Sequence, residues 1–292
     1  MPFTITVARA LVAALPGPAA FHVMRLLAGR APPRPQVSAA QQQALSQATR
    51  IGHGAGRVAW SWGNGPLVVL VHGWGGRAAQ LAPLASGLSQ RGYRCVAMDV
   101  TGHGESASSR SSWRSFIDDV SELPRHLGQP VHAFIGHSAG GLAMMAARAI
   151  HGLTARHYVC VCAPSHPFPP IRAIRQKLDP RLSLIERYQE FIAAQFDTSW
   201  RELAAGRAFA GAADELLLVY DPGDRFVDHS EGDRIFAMCP DASLVKLTAG
   251  GHTRVLVSSE LEQAVRRFLD ASYLASCHQP PPRACSSAAE SA

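Results

Sequence analysis

The sequence predicts an α/β fold, a mostly parallel central sheet with helices on both faces. Three observations carry this. Short apolar runs such as Leu67-Val68-Val69-Leu70-Val71 alternate with longer helix-forming stretches, as in successive β-α-β units. The runs are continuous, without the in-out alternation of a half-exposed strand, so both sheet faces must be covered. A chain of 292 residues that is 47% apolar has enough material for one substantial core.

Taken in order, residues 3–29 are apolar but are interrupted by Arg9 and by Pro16-Gly17-Pro18. This run is too broken to span a bilayer and lacks the basic start of a secretory signal. Two short helices packed on the body are expected, with contact to a membrane surface the less favoured alternative. Residues 31–38 read as a linker, so an N-terminal helical segment and linker occupy 1–54, ahead of the main domain at 55–275. Strands are predicted near 67–71, 95–100, 131–136, 157–163, 215–220 and 243–248, and helices near 78–90, 112–127, 140–151 and 260–275. Residues 164–213 break the alternation, opening on Pro164-Ser165-His166-Pro167-Phe168-Pro169-Pro170 and continuing as charged helical stretches. An insertion above the strand ends is where a small helical lid would sit, with Phe168, Phe191, Phe196 and Trp200 as candidate substrate-lining residues. The Pro- and Ser/Ala-rich tail, 276–292, is expected to be disordered.

The chemistry is concentrated at Gly136-His137-Ser138-Ala139-Gly140, which follows the apolar run 131–135. A G-x-S-x-G pattern at a strand-to-helix turn lifts the serine hydroxyl into the open at a helix N-terminus. Upstream, His72-Gly73-Trp74-Gly75-Gly76 ends another buried strand, and its glycines free the backbone to aim an N–H outward. The Ala139 and Trp74 N–H groups are therefore the candidate oxyanion donors, each typically lowering a barrier by about 3 kcal/mol.

Together with Asp99-Val100-Thr101-Gly102-His103-Gly104-Glu105-Ser106, these motifs resemble the α/β-hydrolase superfamily, in its serine-nucleophile, esterase- and lipase-like form. The resemblance covers residues 55–275. It implies an α/β-hydrolase fold and an acid and a histidine that follow Ser138 in the chain. Asp221-Pro222-Gly223-Asp224 follows a predicted strand, and Asp221 at the first turn position would most naturally bond the turn's own backbone. Asp224 emerges after the turn and matches the family's usual acid position, so it is preferred over Asp221 and Asp228. His252, in a Gly-Gly loop after the last strand, has the order and setting of the base. His72, His103 and His137 lie within glycine motifs and are read as loop packing.

The expected activity is hydrolysis of a small-molecule carboxylic ester through an acyl-enzyme, with Ser138, His252 and Asp224 as the triad. Thioester hydrolysis or acyl transfer would use the same set, and a non-catalytic binding protein on this fold is the alternative of another class. No cofactor is required. No metal site is expected either, because Cys160 and Cys162 lack a second pair at zinc spacing. Residues 1–98 carry nine Arg and no acid, which leaves the remainder at −3 against a total of +6. The arginines are dispersed and no nucleic-acid motif is present, so no nucleic-acid partner is expected. Six cysteines without a pairing framework favour a reduced, cytoplasmic protein.

Overall fold

A computed structural model describes residues 2–277. Eight strands form one sheet: β1 (Thr49–His53), β2 (Arg57–Trp62), β3 (Leu67–Val71), β4 (Arg94–Asp99), β5 (Val131–His137), β6 (His157–Val161), β7 (Leu216–Tyr220) and β8 (Ser243–Lys246). Their order is β1-β2-β4-β3-β5-β6-β7-β8, with β3 to β8 parallel and β1 and β2 antiparallel at one edge. The helices are α1 (Pro2–Ala14), α2 (Gly17–Ala28), α3 (Ala39–Ser46), α4 (Ala82–Ser89), α5 (Trp113–Leu127), α6 (Ala139–His151), α7 (Phe168–Leu178), α8 (Leu182–Ala193), α9 (Trp200–Ala204), α10 (Ser230–Met238) and α11 (Ser259–Cys277).

The period-2 alternation of a strand divides the core into two layers. Val69, Val71, Phe134 and Leu218 face one layer, completed by α5, α6 and the insertion helices. Val68, Leu70, Ile135 and Val219 face the other, completed by α3, α4 and α11. All five residues of β3 are fully buried, each worth about 1.5–3 kcal/mol relative to exposure. This is why the central strands read as continuous apolar runs.

The edge pair β1–β2 was not among the expected strands, and β1 takes residues 49–53, expected within the N-terminal region 1–54, into the sheet. Its burial is largely exposed (Thr49, Arg50, Gly52), so it lacks the apolar signal that marked the central strands. The helix expected at 78–90 is divided into a 3-10 turn, Ala78–Gln80, and α4, where Pro83 suits the first helical turn. The expected pair of N-terminal helices is present as α1 and α2. Residues 164–213 are helical as expected, carrying α7, α8 and α9 between β6 and β7. Helix α11 continues to Cys277, and the rest of the expected disordered tail lies outside the described residues.

Candidate active site

Ser138 sits between β5 and α6 with φ 51° and ψ −121°, a backbone conformation that costs a non-glycine residue roughly 1–3 kcal/mol. Its neighbours make the turn sterically feasible. A Cβ on Gly136 would meet the Gly141 backbone at 2.5 Å, and one on Gly140 would meet the carbonyl oxygens of Val71 and His72 at 2.5 Å. Ser138 itself is half-buried. Its N–H donates to the Val161 carbonyl at 2.8 Å, which fixes the elbow against the end of β6.

His252 follows β8 in the chain, and its Nδ1 lies 2.6 Å from Asp224 Oδ2. The Asp224 side chain is fully buried and His252 retains 14% of its side-chain exposure. Asp224 Oδ1 accepts the N–H groups of Phe226 at 2.7 Å and Val227 at 3.0 Å. Burial pushes the Asp224 carboxyl up, but the hydrogen bond and charge of His252 and these two N–H groups outweigh it, and the pKa is lowered overall. An ionised Asp224 accepts the hydrogen bond from Nδ1–H, which keeps the proton on Nδ1 and leaves the Nε2 lone pair free.

Asp221 does more than close its own turn. Its Oδ1 accepts Gly223 N–H at 2.7 Å, and its Oδ2 accepts Ala249 N–H at 2.8 Å and Gly251 N–H at 2.9 Å. It therefore braces the loop that carries His252. Asp228, exposed, accepts only Ser230 N–H at 2.9 Å among its backbone contacts.

The His252 loop is also tied to the elbow. His137 Nε2–H donates to the His252 carbonyl at 2.8 Å, and the two rings are 4.6 Å apart. Burial first, then the proximity of His252, lowers the His137 pKa to about 3, so it acts as a neutral donor. His72 and His103 pin the facing loop. His72 Nε2 accepts Val100 N–H at 3.1 Å, and His103 Nε2 accepts Gly75 N–H at 3.1 Å. With Gly76 N–H bonded to Gly73 O at 2.9 Å, two donors of the glycine loop are consumed. Among the described residues the N–H groups of Trp74 and Ala139 have no hydrogen-bond partner. Ala139 opens α6, where first-turn donors lack intrahelical acceptors. The Trp74 ring is 40% exposed and stacks on Phe116 at 5.5 Å.

Of the aromatic residues expected to line a pocket, Phe168 and Trp200 both approach His166, at 5.3 and 5.7 Å. Phe191 packs edge-on against Phe21 of α2 at 6.0 Å, and Phe196 is buried against Trp113 of α5 at 5.4 Å. These last two contacts seat the insertion on the body. Surface clefts of about 320 and 470 Å³ lie behind α6 and beside β8, and neither is lined by Ser138, Asp224 or His252.

Two neighbours of this site were not anticipated. Phe226 is 63% exposed and its ring lies 5.3 Å from that of His252. Its only sequence signal is an apolar residue two positions after Asp224. Cys162, fully buried with φ 49°, places its thiol beside Asp224. Cys162, Asp224 and His252 offer donor atoms within 4.8 Å of one another. Burial, and then the Asp224 charge, push this thiol far up, so it stays protonated, whereas a metal ligand must be a thiolate. Burial also raises the Cys95, Cys160 and Cys239 thiols. In a timed reaction with Ellman's reagent, these four thiols are expected to appear only when denaturant is added. Rapid modification of any of the four in the native protein would contradict this burial.

Residues 68–271, two thirds of the chain, match the model of the alpha/beta hydrolase family. The chain belongs to that family. Among relatives of this alpha/beta hydrolase, the 2-(acetamidomethylene)succinate hydrolase of Mesorhizobium japonicum is 26% identical over 250 residues, covering 72% of this chain and 90% of that protein. The magnesium-chelatase 30 kDa subunit of Rhodobacter capsulatus is 37% identical over 81 residues, 27% of this chain and only 28% of that protein. A thermophilic esterase from Thermogutta terrifontis has a similar structure, with TM-score 0.55 and 17% identity, covering 80% of this chain and all of that one. At that identity the likeness is one of fold.

Proposed function

We propose that this alpha/beta hydrolase cleaves a carboxylic ester by a serine mechanism. The observation that carries the reading is the buried Asp224 held 2.6 Å from His252 Nδ1, on a loop bonded through His137 to the Ser138 elbow. His252 Nε2 removes the Ser138 proton as Oγ attacks the ester carbonyl, and ionised Asp224 holds the ring tautomer and stabilises the imidazolium. The N–H groups of Trp74 and Ala139 receive the oxyanion. The alcohol leaves with the proton from His252, and water, activated by the same imidazole, releases the acid and regenerates Ser138.

The test is labelling with a fluorophosphonate, located by peptide mass in the wild type, Ser138→Ala and His252→Ala. Labelling at Ser138 alone, lost in both variants, is the expected result; no labelling of folded wild type would move the binding-protein reading to the front. Hydrolysis should persist in EDTA, because His252 carries every proton in this scheme.

Within this reading, the exposed Phe226 ring beside His252 is an apolar surface for the substrate. Phe226→Ala is expected to raise KM for an aliphatic ester about three- to tenfold with little change in kcat, the mark of binding shared by ground and transition states. An unchanged KM across a chain-length series would remove Phe226 from the substrate surface.

A further inference from the structure

The N-terminal hairpin is amphipathic in the wrong sense for water. A helix turns about 100° per residue, which places Ala8, Val12 and Leu15 of the first helical segment toward the core. Val12 is 1% exposed, and Ala8 and Leu15 pack against the core beside it. The solvent-facing flank presents Val7, Leu11 and Ala14, and Ala10 beyond them, with Val7 42% and Leu11 45% exposed. Ordinary surface helices carry charged or polar side chains there. On α2, Leu26 and Leu27 are likewise exposed, at 41% and 38%.

The hairpin itself carries charge of one sign only, although α8, against which α2 packs, bears exposed Glu186 and Glu190. Residues 5–38 carry Arg9, Arg25, Arg30 and Arg34 and no acid. Helix α7, against which α1 packs, adds exposed Arg172, Arg175 and Lys177 and again no acid. Asp179, just beyond α7, pairs with Arg9 at 2.5 Å and offsets one of these charges. Neither helix is long enough to cross a membrane. At 13 and 12 residues they extend about 20 Å each against an apolar core of about 30 Å. No helix among the described residues meets the length and hydropathy of a span.

From the exposed apolar face of α1 and the arginines of an acid-free hairpin, we infer that the α1–α2 hairpin docks the protein on an anionic lipid bilayer. Aliphatic side chains enter the acyl boundary and the arginines meet the headgroup phosphates, as in interfacial helices. The hairpin rests on the insertion through Phe21 against Phe191 and through Arg187 over the Phe21 ring at 4.3 Å. Docking therefore brings to the lipid surface the insertion, whose Arg172 guanidinium donates to the Phe226 carbonyl at 2.5 Å.

The experiment is flotation of the full chain with vesicles of phosphatidylcholine alone or mixed with phosphatidylglycerol. Binding to the mixed vesicles, absent from the neutral ones and weakened by salt, is expected. The double variant Val7→Glu, Leu11→Glu should lose about tenfold or more of that binding while keeping the wild-type thermal midpoint. Equal binding to neutral vesicles, or no binding, would overturn the inference. So would a wild-type dimer that the double variant converts to monomer, because a second copy would then be what covers the face.

Discussion

Ser138→Ala and His252→Ala are each expected to lower kcat/KM for a soluble ester by about 10⁴–10⁶-fold, and Asp224→Asn by about 10⁴-fold. In the proposed mechanism Ser138 supplies the atom that bonds to the acyl group, so no neighbour can replace it, and His252 carries the proton in both directions, so that without it Oγ would attack as a neutral alcohol. Asp224→Asn keeps the shape but replaces Oδ2, the acceptor 2.6 Å from Nδ1, with an amide NH2 that only donates and so favours the wrong tautomer of His252. Its Oδ1 bonds to Phe226 and Val227 can persist in the variant, so the loss should fall mainly on rate. Because the three groups act as one unit, the Ser138→Ala, His252→Ala double variant should be scarcely slower than either single one. Steady-state kinetics beside thermal denaturation would check this. A Ser138→Ala enzyme within tenfold of wild type would refute the serine mechanism.

A second large effect is expected in acid. His72, His103, His137 and His157 are buried, and burial is the leading cause that lowers their pKa values to about 4, 3, 3 and 4 from 6.5. Above pH 6.5 these imidazoles are neutral whether the chain is folded or unfolded, and they add no pH dependence. Below it the unfolded chain gains protons that the folded one refuses, so stability falls until the folded values are reached. At pH 5 each contributes about 2 kcal/mol of loss, from 1.36 kcal/mol per pKa unit over about 1.5 units. Four such groups give roughly 6–8 kcal/mol, comparable with the whole stability of an ordinary domain. The carboxylates Asp221 and Asp224, whose pKa values are lowered, lose their contribution only as pH falls below 3.8, so histidine protonation acts first.

The site should fail along with the fold. A proton on His72 or His103 turns the nitrogen that accepts Val100 or Gly75 N–H into a donor, leaving two N–H groups opposed in a dry interior. Thermal midpoints at pH 7.5 and 5 are expected to differ by about 10–20 °C or more. His157→Phe provides the control. Neither ring nitrogen of His157 has a hydrogen-bond partner, so this variant should flatten the acid slope without breaking a bond. A midpoint that stays level down to pH 4.5 would contradict the burial of these rings.

Much of this was legible in the chain because the relevant forces are local or one-dimensional. A strand covered on both faces must be apolar at every position, and Leu67–Val71 is. The elbow at 136–140 is a backbone requirement written in adjacent residues, and only small neighbours satisfy it. The edge strand Thr49–His53 escaped notice because it is mostly exposed, so solvent imposes no pattern on it. Phe226 and Cys162 escaped because nothing in their own segments requires them to lie beside His252 or Asp224. The parallel crossovers bring them there.

By itself, then, the sequence determined the central sheet, the position of the elbow and the histidine loop that follows the last strand, since burial and turn sterics act along neighbouring residues. The sequence preferred Asp224 over Asp221 from their places in the turn, and only the tertiary structure shows what each of them faces. Asp224 meets the His252 ring, 28 residues away, and Asp221 meets the backbone of the loop that carries it. It also decided that His137 would tie that loop to the elbow across 115 residues, and that the apolar side of α1 would face outward. Such pairings depend on where crossovers return distant segments, and no local rule of burial or backbone geometry encodes them.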